Sequence, residues 1–135
     1  MIGNSWPGDV YWPDYTNPKT KEWLHVMLDY MRDTLKLDFD GIWFDMNEAT
    51  NNCNGYCDPR QKGATTAKAN IFYVPGGRDI ETMAITFDAV HANGKSEMDM
   101  HNMFSYFQTK AASEYFTENK KRPFVLSRSD FPGLG

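Results

Sequence analysis

The stretch from Gly41 to Glu48, which reads GIWFDMNE, decides the fold of this chain. Its apolar run, Ile42 to Phe44, is too short for a helix and is bounded by a glycine and by a polar segment. A short continuous apolar run of this kind is typical of a parallel strand buried on both faces. The sequence therefore predicts a buried parallel strand that ends at Asp45.

The segments around this strand predict two helices and a second strand. Apolar residues recur at three- and four-residue spacing after Pro18, which predicts a helix over residues 19–35. The same spacing predicts a helix over residues 97–118, and residues 122–129 are typical of another short buried strand. Residues 1–18 carry turn signals without any periodicity, so we expect them to form a loop.

Between residues 47 and 77 the chain is polar and rich in turn-forming residues, which predicts a long loop after the first strand. Loops of this length in compact domains are usually functional. The order loop, helix, strand, long loop, helix, strand predicts an α/β fold with a parallel sheet.

A polar, aromatic-rich loop after each strand favours a (β/α)8 TIM barrel, whose chemistry lies at the carboxyl ends of the strands. Two strands cannot close a barrel. We therefore expect residues 1–135 to form one partial barrel domain, truncated at both ends, that contains about strands 4 and 5 with their helices and loops.

Composition excludes several classes of protein. The 135 residues are 41% hydrophobic and 15% aromatic, which indicates a folded chain. The net charge of -4 and the lack of a basic run make nucleic acid an unexpected partner. No apolar stretch reaches the roughly 20 residues of a membrane span, and the first residues do not have the pattern of a secretory signal.

Asp45 and Glu48 are the candidate catalytic residues. Asp45 stands at the end of the predicted strand among large apolar groups, where partial desolvation and nearby dipoles set the nucleophilicity of a carboxylate. Asn47 and Glu48 follow at positions from which they can orient that carboxylate or a substrate hydroxyl. The alternative is structural, because Asp45 and Glu48 also have the spacing of a capping box at the start of a helix. From the residues alone, the catalytic and the structural interpretations have equal weight.

The GIWFDMNE stretch resembles the signature of glycoside hydrolase family 31, in which a small residue, an aliphatic residue, Trp, any residue, Asp, Met, Asn and Glu follow in that order. Other blocks similar to the family are residues 6–8, 11–18, 73–76, 100–102 and 122–129. The resemblance covers essentially the whole chain. It implies an α-glucosidase-like hydrolase with a TIM-barrel catalytic domain and without a cofactor or metal.

The resemblance also implies roles for individual residues. Asp45 is the catalytic nucleophile, Trp43 and Met46 line the subsite for the glucose ring, Arg128 reaches the sugar from the next strand, and Trp6 forms a wall of the same pocket. The general acid of the family is an Asp in a Trp-x-Gly-Asp block, which this chain does not contain.

The implied reaction is double displacement that releases α-glucose from the non-reducing ends of α-glucosides such as maltose. The alternatives are an α-xylosidase or a glycan-trimming α-glucosidase of the same family, and a non-catalytic, truncated sugar-binding relic that lacks the acid. The resemblance also implies that His101 is a buried hydrogen-bonding group and not a metal ligand, and the three histidines have no metal-ligand spacing.

Cys53 and Cys57 are the only cysteines. Their spacing is too wide for a redox Cys-x-x-Cys site, and two sulfurs alone make a poor zinc site. By resemblance to secretory plant and fungal members of the family, the pair is expected to form a local disulfide, with two free thiols as the alternative. A disulfide implies an oxidising compartment, and hence a secreted or lysosomal/vacuolar parent protein.

Overall fold

The computed structural model describes residues 2–57, 75–76 and 79–135. Within these residues the regular elements are β1 (Ile2–Ser5), β2 (Gly8–Tyr11), α1 (Pro18–Asp29), β3 (Ile42–Phe44), α2 (Glu97–Met100), α3 (Phe104–Glu118) and β4 (Val125–Ser127). Their order confirms the predicted succession of helix, strand, long connection, helix and strand. Residues 58–74 and 77–78 of the predicted long loop, with half of the 73–76 block, lie outside the described residues.

The chain divides into two compact units. The hairpin unit comprises Met1–Pro13 and Ala49–His101, and the helical unit comprises Asp14–Glu48 and Asn102–Gly135. Each is described by itself. No helix among the described residues combines the length and the apolar character needed to cross a membrane.

Helix α1 of the helical unit begins where the sequence indicates. Pro18 occupies the first turn, and the Asn17 side chain accepts a hydrogen bond from the Lys19 backbone N–H at 3.0 Å. A side-chain oxygen at this position satisfies one of the N–H groups that the first turn leaves unpaired. A π-helical segment, Tyr30–Thr34, continues α1, so that together they account for the predicted helix over residues 19–35.

The core of the helical unit lies between α1 and α3. Its buried members are Leu24, Leu28, Ala111, Ala112, Tyr115 and Phe116. Ile42, Phe44 and Val125 pack against it from the strands. The two helices therefore cover one face of the β3–β4 pair.

Strands β3 and β4 are parallel neighbours, as predicted, with Ile42 opposite Val125 and Phe44 opposite Ser127. The prediction that the strands are buried on both faces is wrong for this chain. Trp43 and Leu126, which pair with each other, are 62% and 52% exposed. Because successive side chains of a strand point to opposite faces, the residues of the open face are set by the same register that buries Ile42 and Phe44.

The hairpin unit corrects the prediction of a loop over residues 1–18. Strands β1 and β2 pair in antiparallel register from Ile2 opposite Tyr11 to Ser5 opposite Gly8, and Trp6 and Pro7 form the turn. Each strand has four residues, which is too short to give the alternation of apolar and polar residues by which strands are recognised.

The disulfide between Cys53 and Cys57 is present in the hairpin unit, with the two Cα atoms 5.5 Å apart. This separation lies within the usual range for a disulfide. The pairing that the family resemblance implies is thereby confirmed, and the alternative of two free thiols is wrong.

Candidate active site

The parallel pairing of β3 and β4 brings the predicted nucleophile and the predicted sugar-binding arginine to one edge of the sheet. Phe44 lies opposite Ser127, and the next residue of each strand is Asp45 or Arg128. The Arg128 backbone N–H donates to the Phe44 carbonyl oxygen at 3.0 Å, which extends the ladder by one bond. Strand register alone therefore places the two side chains beside each other.

The Asp45 carboxylate lies at the open end of β3, with its side chain 47% exposed. Its Oδ1 atom is 3.3 Å from Nη1 of Arg128, and it accepts a hydrogen bond from the Met46 backbone N–H at 2.9 Å. Residues 47–49 form a turn, and no helix follows in residues 46–57. The capping-box interpretation is wrong, because Asp45 has no helix to cap.

The backbone at both ends of β3 is tightly constrained. At the start, a Cβ on Gly41 would lie 2.5 Å from the carbonyl oxygen of Phe124, so only glycine fits against the neighbouring strand. At the end, Met46 has φ of 57°, a left-handed conformation that is uncommon for a residue with a side chain. Such conformations concentrate at functional sites, where the surrounding structure maintains them.

A bidentate ion pair joins Glu48 to Arg128. Nε and Nη2 of Arg128 each donate to one carboxylate oxygen of Glu48, and both distances are 2.9 Å. The hydrogen bond to Glu48 is the main cause that raises the pKa of Arg128. The guanidinium thus bridges two carboxylates, with Glu48 on one edge and Asp45 on another. Because all three side chains are 42–47% exposed, solvent limits the net stabilisation from these contacts.

Asn47 is only 2% exposed and links the two turns that carry these charges. Its Nδ2 donates to Oγ of Ser127 at 2.8 Å and to Oε1 of Gln108 at 3.0 Å. Its Oδ1 accepts from the Ser129 backbone N–H at 3.1 Å. The sequence suggested that Asn47 orients Asp45 or a substrate hydroxyl, whereas its amide instead bonds α3 and the turn after β4.

Sequence reasoning missed Gln108, although a signal was present. Gln108 lies one helical turn before Ala112 on α3, and hence on the face that packs against the core. A half-buried polar residue on an apolar helix face needs a hydrogen-bonding partner. Its partners are Asn47 and the hydroxyl of Tyr15, to which Nε2 donates at 3.4 Å.

The remaining predicted site residues are less closely grouped. Trp43 lies on the open face of the strand pair, and Met46 is half-buried in the turn after β3. Trp6 belongs to the hairpin unit, where it occupies the turn of the hairpin and is 85% exposed. Its place in a substrate pocket stays a prediction.

His101 also belongs to the hairpin unit, where its Nδ1 lies 3.3 Å from Oε1 of Glu97. Glu97 is 5% exposed and also contacts Nε2 of His91 at 2.8 Å. The ring of His101 packs edge-on against Phe87. His101 therefore has the hydrogen-bonding partner expected of it. No group of three or more potential ligands among the described residues is arranged to hold a metal ion.

The model of the glycosyl hydrolases family 31 TIM-barrel domain matches residues 1–135. This chain belongs to glycosyl hydrolase family 31. The match confirms the resemblance carried by the GIWFDMNE stretch, and it makes the chain a segment of a TIM-barrel fold.

Individual members of family 31 resemble the chain along its whole length. A probable α-glucosidase of Oryza sativa subsp. japonica is 36% identical over 136 residues, which cover 99% of this chain and 15% of that protein. Alpha-xylosidase 1 of Arabidopsis thaliana is 33% identical over 161 residues, which cover 100% of this chain and 17% of that protein. The chain thus spans about a sixth of the length of these relatives.

A solved structure agrees with the family assignment. The crystal structure of the ER glucosidase II complex, which consists of a catalytic subunit and the binding domain of a regulatory subunit, matches with a TM-score of 0.68 and 25% identity. The match covers 98% of this chain and 12% of that one.

Proposed function

We propose that this chain is the nucleophile-bearing part of a retaining α-glucosidase, with Asp45 as the nucleophile. The observation that carries the proposal is the place of Asp45: it ends β3 within the family signature, half-exposed, with Nη1 of Arg128 3.3 Å away. An exposed carboxylate on a rigid strand end is suited to attack a carbon centre.

The reaction that suits this arrangement has two displacements. In the first, a general acid protonates the glycosidic oxygen, an oxygen of Asp45 attacks the anomeric carbon, and the leaving alcohol departs, which forms a glucosyl ester. In the second, the conjugate base of that acid takes a proton from water, the water oxygen attacks the same carbon, and α-glucose leaves Asp45 as the free carboxylate. Retaining enzymes hold the two carboxyl groups roughly 5 to 5.5 Å apart. We place the acid outside this chain.

Glu48 and Arg128 have supporting roles in this proposal. The bidentate pair fixes the guanidinium, so that its remaining donor points to Asp45 and to the space beyond the strand ends. There Arg128 contacts sugar hydroxyls and stabilises the charge on Asp45 before the attack and again as the ester breaks. Trp43, Met46 and Trp6 serve as walls of the glucose subsite.

The chain is proposed to be a partial catalytic domain, with β3 and β4 as strands 4 and 5 of a (β/α)8 barrel. The chain's share of its relatives' length and the open face of the strand pair support this extent. The Cys53–Cys57 disulfide supports an oxidising compartment, and hence a secreted or lysosomal/vacuolar parent protein. The proposed partner is an α-linked glucoside, without a cofactor or nucleic acid.

A second candidate activity is that of an α-xylosidase, and the resemblance to the Arabidopsis α-xylosidase favours it. The glycan-trimming α-glucosidase of the same family, which the sequence resemblance implies, is kept as a further alternative. Relative kcat/KM of the complete protein on maltose, an α-xyloside and a glucosylated oligomannose separates these substrates. Lack of turnover on all three would favour the non-catalytic relic.

The nucleophile is tested with Asp45→Asn in the complete protein. The amide still accepts a hydrogen bond but forms no ester, so we expect binding to persist and turnover to be lost. Asp40→Asn is the matched control, because Asp40 precedes the same strand and its side chain is 98% exposed. An Asp45→Asn enzyme that keeps more than about a tenth of the wild-type kcat, a change of only ~1.4 kcal/mol, would reject the assignment. In the wild type, a 5-fluoro-α-glucosyl fluoride should label the peptide that contains Asp45.

A further inference from the structure

The charged residues of the site are held by one amide that lies between them in the chain. Asn47 stands between Asp45 and Glu48, and its two partners Ser127 and Ser129 stand on either side of Arg128. The hydrogen bonds of Asn47 therefore join the turn after β3 to the end of β4 and to the turn that follows it. The Asn47 amide thus contacts residues on both sides of Arg128.

The hydrogen bonds around Asn47 form a closed ring with a single direction. Nδ2 of Asn47 donates to Oγ of Ser127 at 2.8 Å, Oγ of Ser127 donates to the carbonyl oxygen of Ser129 at 2.6 Å, and the N–H of Ser129 donates back to Oδ1 of Asn47 at 3.1 Å. If the amide turned over, its NH2 group would face the N–H of Ser129, and two donors would meet. The ring therefore requires one orientation of the amide.

The ring leaves the second N–H of Asn47 without an acceptor, and Gln108 supplies one. Oε1 of Gln108 lies 3.0 Å from Nδ2 of Asn47, while its own Nε2 donates to the hydroxyl oxygen of Tyr15 at 3.4 Å. Because Nδ2 of Asn47 can only donate, it requires Oε1 of Gln108 to face it, and Nε2 of Gln108 then faces Tyr15, whose hydroxyl is kept neutral because burial raises its pKa. The ring of Tyr15 is itself held edge-on against Phe104 of α3.

We infer that Gln108 is a positioning residue of the active site: through Asn47 it holds the turns after β3 and β4 together, so that Arg128 reaches Asp45 and Glu48 at once. The inference rests on the proposed function, since it assigns an effect on turnover to a residue that touches neither substrate nor nucleophile. It extends the site from the strand ends to the inner face of α3.

Loss of the Gln108 acceptor leaves a buried N–H unpaired, and the Asn47 amide then turns or tilts to recover a partner. Arg128 moves with the turn that Asn47 holds. Because a misplacement of the order of 1 Å at a reacting group costs up to about 100-fold in rate, a partial loosening should cost about tenfold in kcat. KM should stay within about threefold, since Trp43, Met46 and Trp6 are untouched and only the contact of Arg128 with the sugar changes.

Two substitutions at Gln108 separate positioning from general stability. Gln108→Met keeps the length of the side chain and removes both hydrogen bonds, whereas Gln108→Glu keeps an oxygen that accepts from Asn47. Both are compared with the wild type in the complete protein, with active sites counted by the fluoride label. We expect kcat to fall about tenfold in Gln108→Met and to return to within about threefold of the wild type in Gln108→Glu.

Ser105→Ala is the matched control. Ser105 lies one turn earlier on α3, is 1% exposed, and has no hydrogen-bond partner for its hydroxyl among the described residues. Its removal changes α3 packing without touching Asn47, so kcat per active site should equal that of the wild type.

Tyr15→Phe is a second test of the inference, to be used if the Gln108→Met variant does not fold. It removes only the Tyr15 hydroxyl, which accepts a hydrogen bond from Nε2 of Gln108. We expect kcat to fall about threefold, a smaller loss than in Gln108→Met. Wild-type kcat per active site in the folded Gln108 or Tyr15 variant, with only a lower melting temperature, would overturn the inference. Asp45→Asn, measured alongside, separates the two proposals: if it stays active, the proposed function fails, whatever Gln108 does.

Discussion

The helical unit centres on an apolar contact between two helices, whereas the hairpin unit adds a fully buried amide and a disulfide to its few buried apolar residues. In the helical unit, Leu28 and Phe116 are 2% and 1% exposed at the centre of the α1–α3 contact. In the hairpin unit, the polar side chain of Asn51 is fully buried. Hydrophobic contact is non-directional and tolerates small shifts, while a buried amide is satisfied in one geometry only.

The bonds of Asn51 show how much of the hairpin unit depends on it. Its Oδ1 accepts from the N–H of Asn4 in β1, and its Nδ2 donates to the carbonyl oxygens of Gly55 and Ala84. One side chain therefore joins the first strand, the disulfide loop and the segment before α2. The difference between the units predicts that they respond to different perturbations, and that the responses stay local.

The largest effect is expected when the chain is expressed alone, because one face of the β3–β4 pair is then exposed to solvent. Expressed alone, the 135-residue chain should neither melt cooperatively nor release glucose from maltose. Trp43 and Leu126 form an open apolar strand face, and burial contributes about 25 cal/mol per Å² against roughly 1 to 2 kcal/mol of backbone entropy for each ordered residue. Calorimetry and a glucose assay of the purified chain check this. A sharp two-state transition would show that the α1–α3 core suffices by itself.

The next largest effect should come from the core of the helical unit. In the complete protein, Phe116→Ala should destabilise this unit by about 3 to 5 kcal/mol, because it leaves a cavity where α1 and α3 meet. Hydrogen exchange followed by peptide mass analysis should then be faster in α1 and α3 and unchanged in β1. Phe124→Ala is the control, since Phe124 is 67% exposed. Equal acceleration in both units would mean that they unfold as one.

The elements that could be predicted from sequence are those with a period or a motif. The spacing in α1 and α3 exceeded three turns, so one face stood out, and the Ile42–Phe44 run had clear boundaries. The hairpin was missed because four-residue strands carry too little periodicity, and its turn pairs Trp6 with Pro7 instead of a glycine-rich dipeptide.

Part of the candidate site could likewise be predicted, because its residues belong to recognisable sequence motifs. Asp45, Glu48 and Arg128 stand in family motifs, and strand register brings Asp45 and Arg128 to the same edge of the sheet. The contacts of Asn47 depend on where α3 sits against β3, and nothing local in the chain encodes that distance. Gln108 was visible only as a polar residue on an apolar face, which indicates a need for a partner but does not identify it.

A smaller effect should follow from removing the amide at the centre of the hairpin unit. Asn51→Ala removes the side-chain partner of the Asn4 N–H and of the Gly55 carbonyl oxygen, whereas the Ala84 carbonyl keeps the bond from the Gly55 N–H. Each buried group that loses its partner costs free energy, so we expect a loss of roughly 2 to 3 kcal/mol. Hydrogen exchange should accelerate in β1 and around Ala84, the reverse of the pattern for Phe116→Ala. Asn52→Ala is the control, because the Asn52 side chain bonds only at an exposed position. Faster exchange in α1 would contradict the local character of the two units.

The smallest effect should come from the disulfide, because it closes a very short loop. Cys53 and Cys57 are four positions apart, and the chain-entropy estimate for so small a ring is about 2 kcal/mol. Cys53→Ser together with Cys57→Ser should therefore lower the stability of the hairpin unit by that amount or less, since Asn51 still holds Gly55 from inside the loop. Exchange in β1 should rise less than in Asn51→Ala. Peptides from the protein isolated from its native source without a reductant should show the two cysteines linked. Alkylation of both without a reductant would remove the disulfide from this account, and the loop would then be held to the first strand by the hydrogen bonds that Asn51 and Asn52 make with Asn4.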